Sequence, residues 1–366
     1  MAYDIISADS HVLEPYTLWQ DALGDRFGDK TPRLVNERFG EAGRFFFTGN
    51  QYWKLKRYEE EAQAAGTPKA GYDPAERVRF QTDAKITAEV MNPTVMLPIM
   101  NASNQAENRA MVQAAAIAYN DWLLEFCSYK LTRLWPVAAI PMDDVKWALK
   151  ELDRTLKKGA RTAMIHSVYP EGCPPYRARV YDPFWARCQD AGIPITLHII
   201  TGRIPDPLFA YKKEDQENGP NSMLFTYEEI PHTLANEFIF GTIFDRFPRL
   251  KVLTGELELS WIPHFMKRVD MMQGVFSDRL SLPKLAMLAS DYMRTRVWHG
   301  LIDDKFGLNG LDLIGESQVC WGSDFPHSIA IGKDAQAEVD QVLENVPKPK
   351  RQRLLADNVR HLFGVH

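Results

Sequence analysis

The chain has no basic excess: 43 Lys and Arg stand against 48 Asp and Glu, for a net charge of −5. Binding to a phosphate backbone needs a basic footprint, so a nucleic-acid partner is not expected. Cysteine is scarce too. The four residues, Cys127, Cys173, Cys188 and Cys320, lie far apart with no CxxC pair. That spacing argues for buried thiols and against a disulfide framework or a zinc knuckle. No window approaches the ~18 uninterrupted apolar residues of a membrane helix. Met1–His11 has no basic stretch followed by an apolar one, so no signal peptide is read there and the cytoplasm is the expected compartment. GxSxG, a P-loop, GxGxxG and HExxH are also missing. Serine hydrolases, nucleotide-binding enzymes and zincin proteases thereby lose their usual supports.

What is present is apolar content, 45% of 366 residues, enough for one large α/β domain. Eight short runs read as strands: Asp4–Ala8, Ala88–Met91, Trp135–Ile140, Arg161–His166, Pro194–Ile199, Lys251–Gly255, Arg296–Leu301 and Val319–Gly322. Most are apolar at consecutive positions, as parallel strands covered on both faces are. Helical spacing fills the intervals, over Gln105–Tyr129, Val145–Lys157, Asp182–Ala191, Tyr227–Phe244, Trp261–Gly274, Asp334–Asn345 and Lys348–Phe363. Eight strands alternating with helices predict an α/β fold, a (β/α)8 TIM-like barrel, although an open doubly wound sheet accommodates much of the same count. Residues 1–366 read as a single domain. Within it, 18–84 is a long insertion after the first strand, expected to cover the active-site mouth or a subunit interface. A second excursion, Thr201–Phe225, follows the fifth strand.

Polar residues interrupt the apolar strands at one end. Asp9 and His11 close the first (ISADSH), His166 the fourth, His198 the fifth, Glu256 the sixth (VLTGE) and Asp324 the eighth (WGSDFPH). In a parallel barrel every strand C-terminus faces one mouth, so residues scattered along the chain converge there. Asp, His and Glu are oxygen and nitrogen donors that zinc, manganese or iron accept. Asp9 and His11 are two positions apart, so on an extended strand both point to one side and can reach one ion. Each residue alone has a plainer reading: a hydrogen-bonded histidine, an Asp9 that caps a loop, an Asp324 that forms a turn before Pro326. Several arriving together at successive strand ends favour a shared metal.

ADSHVLEP at 8–15, LH at 197–198, GSDFPH at 322–327 and NVRHLFG at 358–364 resemble the amidohydrolase superfamily. More narrowly they resemble the amidohydrolase-related branch that includes aminocarboxymuconate semialdehyde decarboxylase. The resemblance covers nearly the whole chain apart from the long insertion. It implies a metal-dependent TIM-like barrel in which Asp9, His11, His198 and Asp324 hold one divalent ion. Asp9 stands where many relatives have a His. The added carboxylate leans toward a harder ion, Mn²⁺, Fe²⁺ or Ca²⁺, with Zn²⁺ retained as a candidate. At the end of the sixth strand the decarboxylases of this branch resemble one another in a proton-carrying His, whose place Glu256 takes here. Glu256 then has three candidate roles. It takes a proton from metal-bound water, whose pKa falls to about 7 in zinc sites; it helps hold a second ion with His166; or it orients His198.

The first reading is therefore a metal-dependent hydrolase, with Glu256 and Asp324 as its catalytic residues and water as the nucleophile. Its substrate is a small carboxylate-bearing or aromatic amide, ester or lactone. The alternative is a non-oxidative decarboxylase (carboxy-lyase) of a small aromatic or unsaturated acid, with Glu256 or His327 as proton carrier. A third reading is a catalytically inactive barrel that serves as a partner subunit. His166, Glu256, His327 and Arg203 are candidates for a second metal or for substrate; Arg203 could pair with a substrate carboxylate bidentately. His299 lies within the seventh strand, with its facing open. Trp19, Phe45, Phe46, Phe47, Tyr52 and Trp53 could wall the site or bury against a second subunit. The expected partners are a small-molecule substrate and a second copy of the chain, as a homodimer or higher homo-oligomer, with no membrane.

Overall fold

Each of the eight apolar runs is a strand in the computed structural model, which describes residues 3–38, 40–54, 68–203, 219–327 and 334–365. The strands are β1 (Ile6–His11), β2 (Ala88–Asn92), β3 (Leu134–Ala139), β4 (Thr162–Ile165), β5 (Pro194–His198), β6 (Lys251–Gly255), β7 (Val297–Leu301) and β8 (Val319–Trp321). All pair in parallel and in chain order. A doubly wound sheet would reverse its strand order at a switch point; this one never reverses. It curls into a nearly closed barrel. The seam between β8 and β1 is bridged just past β8, where Asp324 N donates to Asp9 O at 2.8 Å and His11 N donates to Phe325 O at 2.7 Å.

Two glycines let the strands meet closely at the C-terminal rim. A Cβ on Gly255 would stand 2.4 Å from His198 Cδ2, and one on Gly322 would stand 2.5 Å from Asp9 Cβ. Both glycines therefore leave room for side chains of neighbouring strands to enter the mouth.

Among the helices, Val145–Lys157 and Asp182–Ala191 have the expected bounds. The expected Tyr227–Phe244 helix begins earlier, at Gly219, and runs through Thr233 into a π-helical turn at Leu234–Ile239. No helix among the described residues is long and apolar enough to cross a membrane.

The 18–84 segment contains an antiparallel three-stranded sheet, Arg33–Arg38, Glu41–Phe47 and Tyr52–Lys54. These short strands carry charge at exposed positions, which obscured the alternation. Trp19 and Phe46 are buried with ring centroids 5.5 Å apart, and Trp19 Nε1 donates to Ala115 O of the long Ala102–Ser128 helix. These two aromatics pack inward against the rest of the chain. The segment ends in a helix, Pro74–Asp83, capped by the Asp73 side chain on Ala75 N and Glu76 N.

That helix carries Arg77, fully buried against an equally buried Glu89 of β2. Arg77 Nε donates to Glu89 Oε2 at 2.6 Å and Nη2 to Oε1 at 3.1 Å, while Nη1 donates to the carbonyl of His11 at 2.8 Å. Ser10 Oγ and Gln81 Nε2 donate to the same carboxylate. Arg77→Met is expected to cost about 3–5 kcal/mol, because the buried Glu89 charge loses its partner. Urea denaturation read by circular dichroism checks this; a loss below 1 kcal/mol would mean that the pair adds little.

Candidate metal centre

The register of the barrel sets the site. Asp9 and His11 share one side of β1, and the His11 Nε2 to Asp9 Oδ1 distance is 3.4 Å. From the end of β5, His198 Nε2 lies 3.7 Å from Asp9 Oδ1 and 3.7 Å from Glu256 Oε1. Glu256 follows β6 directly and places Oε1 3.0 Å from His11 Nε2. Asp324, beyond β8, places Oδ1 3.4 Å from the same nitrogen. His327 joins through Nδ1, 3.0 Å from Asp324 Oδ1 and 3.4 Å from Glu256 Oε1. Glu256 and Asp324 both have left-handed backbones, φ +50° and +52°. Asp tolerates that region but Glu rarely adopts it, and such residues concentrate where function demands a placement.

Two overlapping groups of donor atoms result: Asp9, His11 and His198, and His11, Glu256, Asp324 and His327. His11 is common to both. Their chemistry fits a cation. His11 Nδ1 faces the Pro93 carbonyl at 2.6 Å and His198 Nδ1 faces Ile199 O at 3.1 Å. A carbonyl accepts, so each Nδ1 carries the proton and each Nε2 turns a lone pair into the cluster. Among the described residues, His11 Nε2, His198 Nε2 and Glu256 Oε1 are buried without a hydrogen-bond partner. Lone pairs facing one another across about 3 Å repel, and a shared positive charge relieves them.

The same demand for positive charge shows in the titration, where a proton on Nε2 does what a cation would do. Burial alone would raise Asp9 and Glu256, but the imidazoles of His11, His198 and, at Glu256, His327 hold both well below the usual carboxylate range. Burial opposes charge on His11, yet Asp9 and Glu256 hold it well above its ordinary value. Asp324 is pushed up to about 7, by burial first and then by the charge of Glu256. His327 is depressed by burial and by His11, but Asp324 and Glu256 outweigh both and raise it to about 9.

Three supporting residues escaped the sequence reading. Asn92 Nδ2 donates to Asp9 Oδ1 at 2.6 Å, Thr94 Oγ1 meets His327 Nε2 at 3.0 Å, and buried Glu14 accepts the N–H groups of Thr94, Val95 and Met96. Asn92 had a signal, since it too is a polar residue ending an apolar strand. Removing such an orienting partner typically costs 10–100-fold in metal affinity. Asn92→Ala is expected to fall in that range, read by competition with a chelator. An unchanged affinity would show that Asp9 needs no support.

The remaining candidates go elsewhere. His166, a candidate for a second ion with Glu256 or for substrate, belongs to neither donor group. Arg203 lines a different cavity of about 660 Å³ with Glu229 and Tyr169; its Nη2 donates to Tyr169 O and its guanidinium lies over the Tyr169 ring. His299 faces Met293 O through Nε2 at 3.3 Å, away from the cluster. The excursion after β5 lies largely outside the described residues.

Residues 48–365 match the amidohydrolase family model. The chain belongs to the amidohydrolase family. This amidohydrolase is 29% identical over 157 residues to the γ-resorcylate decarboxylase of Polaromonas sp. strain JS666, covering 41% of the chain and 46% of that protein. The chain spans about half the length of the curated relatives it matches. Its fold is that of an amidohydrolase from Mycobacterium avium subsp. paratuberculosis K-10, with TM-score 0.77, 17% identity, and coverage of 100% and 99% of the two chains. It is also that of a dihydroxybenzoic acid decarboxylase from Polaromonas sp. JS666 with bound manganese and the inhibitor 2-nitroresorcinol. There the TM-score is 0.67 at 18% identity, covering 99% and 97%.

The expectation of hydrolysis is overturned by these relatives. Three curated proteins that match are γ-resorcylate decarboxylases, which favours the carboxy-lyase alternative. The misreading has a physical source. A carboxylate beside an ion can deprotonate water or deliver a proton to carbon, and Glu256 by itself does not distinguish the two.

Proposed function

We propose that this amidohydrolase is a metal-dependent, non-oxidative carboxy-lyase acting on a small aromatic or unsaturated acid. The likeness to γ-resorcylate decarboxylases carries this reading, and the donor cluster supports it. Asp9, His11, His198 and Asp324 would hold the ion. Manganese is the favoured metal, because a mixed carboxylate and imidazole set suits it and the Polaromonas structure holds it. When bound, the ion supplies a Lewis acid that fixes the substrate carboxylate and draws charge from the breaking bond.

The chain's own residues do the rest. A cavity of about 440 Å³ borders Glu256 and Asp324 and has Tyr227 and Trp261 on its wall, space enough for a single-ring acid. In the reaction the bond between the ring carbon and the carboxyl carbon breaks and CO₂ leaves. The electron pair stays on the ring carbon, which takes a proton. We assign its delivery to Glu256 acting as a relay: the carboxylate, ionised at rest, takes a proton from His327 Nδ1, 3.4 Å from its Oε1, and passes it to the ring carbon. Thr94 meanwhile steadies the other nitrogen of His327, which recovers its proton from solvent.

Manganese-loaded protein incubated with γ-resorcylate and a panel of hydroxybenzoates in D₂O tests the reading. The expected result is one CO₂ per turnover and deuterium at the vacated ring carbon. No CO₂ from any member of the panel would overturn it.

A further inference from the structure

One residue at the barrel mouth is left over from these roles. His166 follows the last residue of β4 and is fully buried. Among the described residues neither of its ring nitrogens has a hydrogen-bond partner. Buried polar groups are nearly always satisfied, so two bare nitrogens on one imidazole call for a partner, water or ligand.

The strand register says where the ring points. β4 and β5 pair as Ala163↔Ile195, Met164↔Thr196 and Ile165↔Leu197, and the Thr162 and Thr196 hydroxyls meet at 2.8 Å. Side chains alternate along a strand, so His166 shares the face of Thr162 and Thr196, which is also the face of His198. One further step of the register sets it beside His198. Adjacent strands run ~4.8 Å apart. The His166 backbone is thus about one strand spacing round the rim from that of His198, on the same face and outside the donor groups.

Burial pushes the imidazole down to about 3, so the ring is neutral and offers one N–H donor and one lone pair. A hydroxyl or an amine matches that pair, because each can both donate and accept. A carboxylate, which only accepts, leaves one nitrogen bare.

We propose that His166 is a specificity-determining residue that hydrogen-bonds a hydroxyl or amino substituent ortho to the reacting carboxylate of an aromatic acid. This rests on the decarboxylase reading above. An ortho oxygen lies about 2.5–3.0 Å from the nearer carboxylate oxygen, the span of an O–H···O hydrogen bond. A carboxylate held beside His198 with its ortho substituent on the β4 side would bring that substituent toward His166.

Manganese-loaded wild type, His166→Phe and His166→Asn are compared with 2,6-dihydroxybenzoate as substrate. Phenylalanine is expected to raise KM about tenfold, the scale of one hydrogen bond in a buried site, with kcat and metal content near wild type. Asparagine, which keeps a donor and an acceptor, recovers part of the loss. Unchanged KM, a fall in kcat alone, or loss of the ion would each overturn the proposal, the last by making His166 a ligand. A crystal structure of the wild-type manganese protein with 2-nitroresorcinol needs no variant. A ligand oxygen within about 3.2 Å of a His166 ring nitrogen supports the assignment; water alone at both nitrogens overturns it. Should wild type release no CO₂ from any hydroxybenzoate, the decarboxylase reading fails by itself, and the 2-nitroresorcinol complex still reports on His166.

Discussion

His11→Ala is expected to strip the protein of its ion and abolish turnover while leaving the barrel folded. His11 Nε2 lies within 3.4 Å of all three carboxylates, Asp9, Glu256 and Asp324. Removing it breaks both donor groups at once and leaves three acidic side chains facing a gap. Loss of a mere orienting partner costs 10–100-fold in affinity, so loss of a shared ligand is expected to exceed about 100-fold. The fold survives because strand β1 is held by its backbone: His11 N still donates to Phe325 O, and Arg77 Nη1 still reaches the residue 11 carbonyl. Elemental analysis after gel filtration should fall from about one equivalent to below a tenth, the tight binding of such sites setting the scale. Retention of a full equivalent with an unchanged unfolding transition would remove His11 from the centre, and the shared-ion account with it.

The second large effect is expected at Glu256. Glutamine keeps its size and its polar head but carries no transferable proton. Proton transfer by a positioned side chain contributes roughly 10²–10⁴-fold, so Glu256→Gln should lose kcat in that range with metal content unchanged. Its Oε1 is 3.0 Å from His11 Nε2 and 3.4 Å from His327 Nδ1, close enough to serve as ligand instead. Metal analysis separates the roles: loss of the ion together with turnover makes Glu256 a ligand. Wild-type kcat in the variant would show that the proton comes from elsewhere.

Much of the architecture was legible because its signals are local. Eight apolar runs, each ended by a turn or a polar residue, are visible without any knowledge of what they pair with. Asp9 and His11 could be placed together because a strand fixes the relation between positions two apart. The short strands at 33–54 were not read, since their charged faces obscured the alternation on which such a reading depends. Asn92 and Thr94 were passed over for a different reason. Their roles lie in hydrogen bonds to Asp9 and His327, residues 83 and 233 positions away.

The amino-acid order by itself determined the kind of fold and the kinds of donor at its rim. Backbone preference and side-chain alternation act over a few residues and are written in composition and spacing. Only the tertiary structure decided which donors share a point. It gathered Glu256 and His327 around His11, sent Arg203 to another cavity, and left His166 outside the donor groups, with both nitrogens bare among the described residues. Those outcomes depend on strand register and on left-handed turns at residues 256 and 324, each of which moves a side chain by several ångströms. Metal coordination and hydrogen bonding are sensitive to tenths of an ångström, so chemistry at the mouth follows from closure of the barrel.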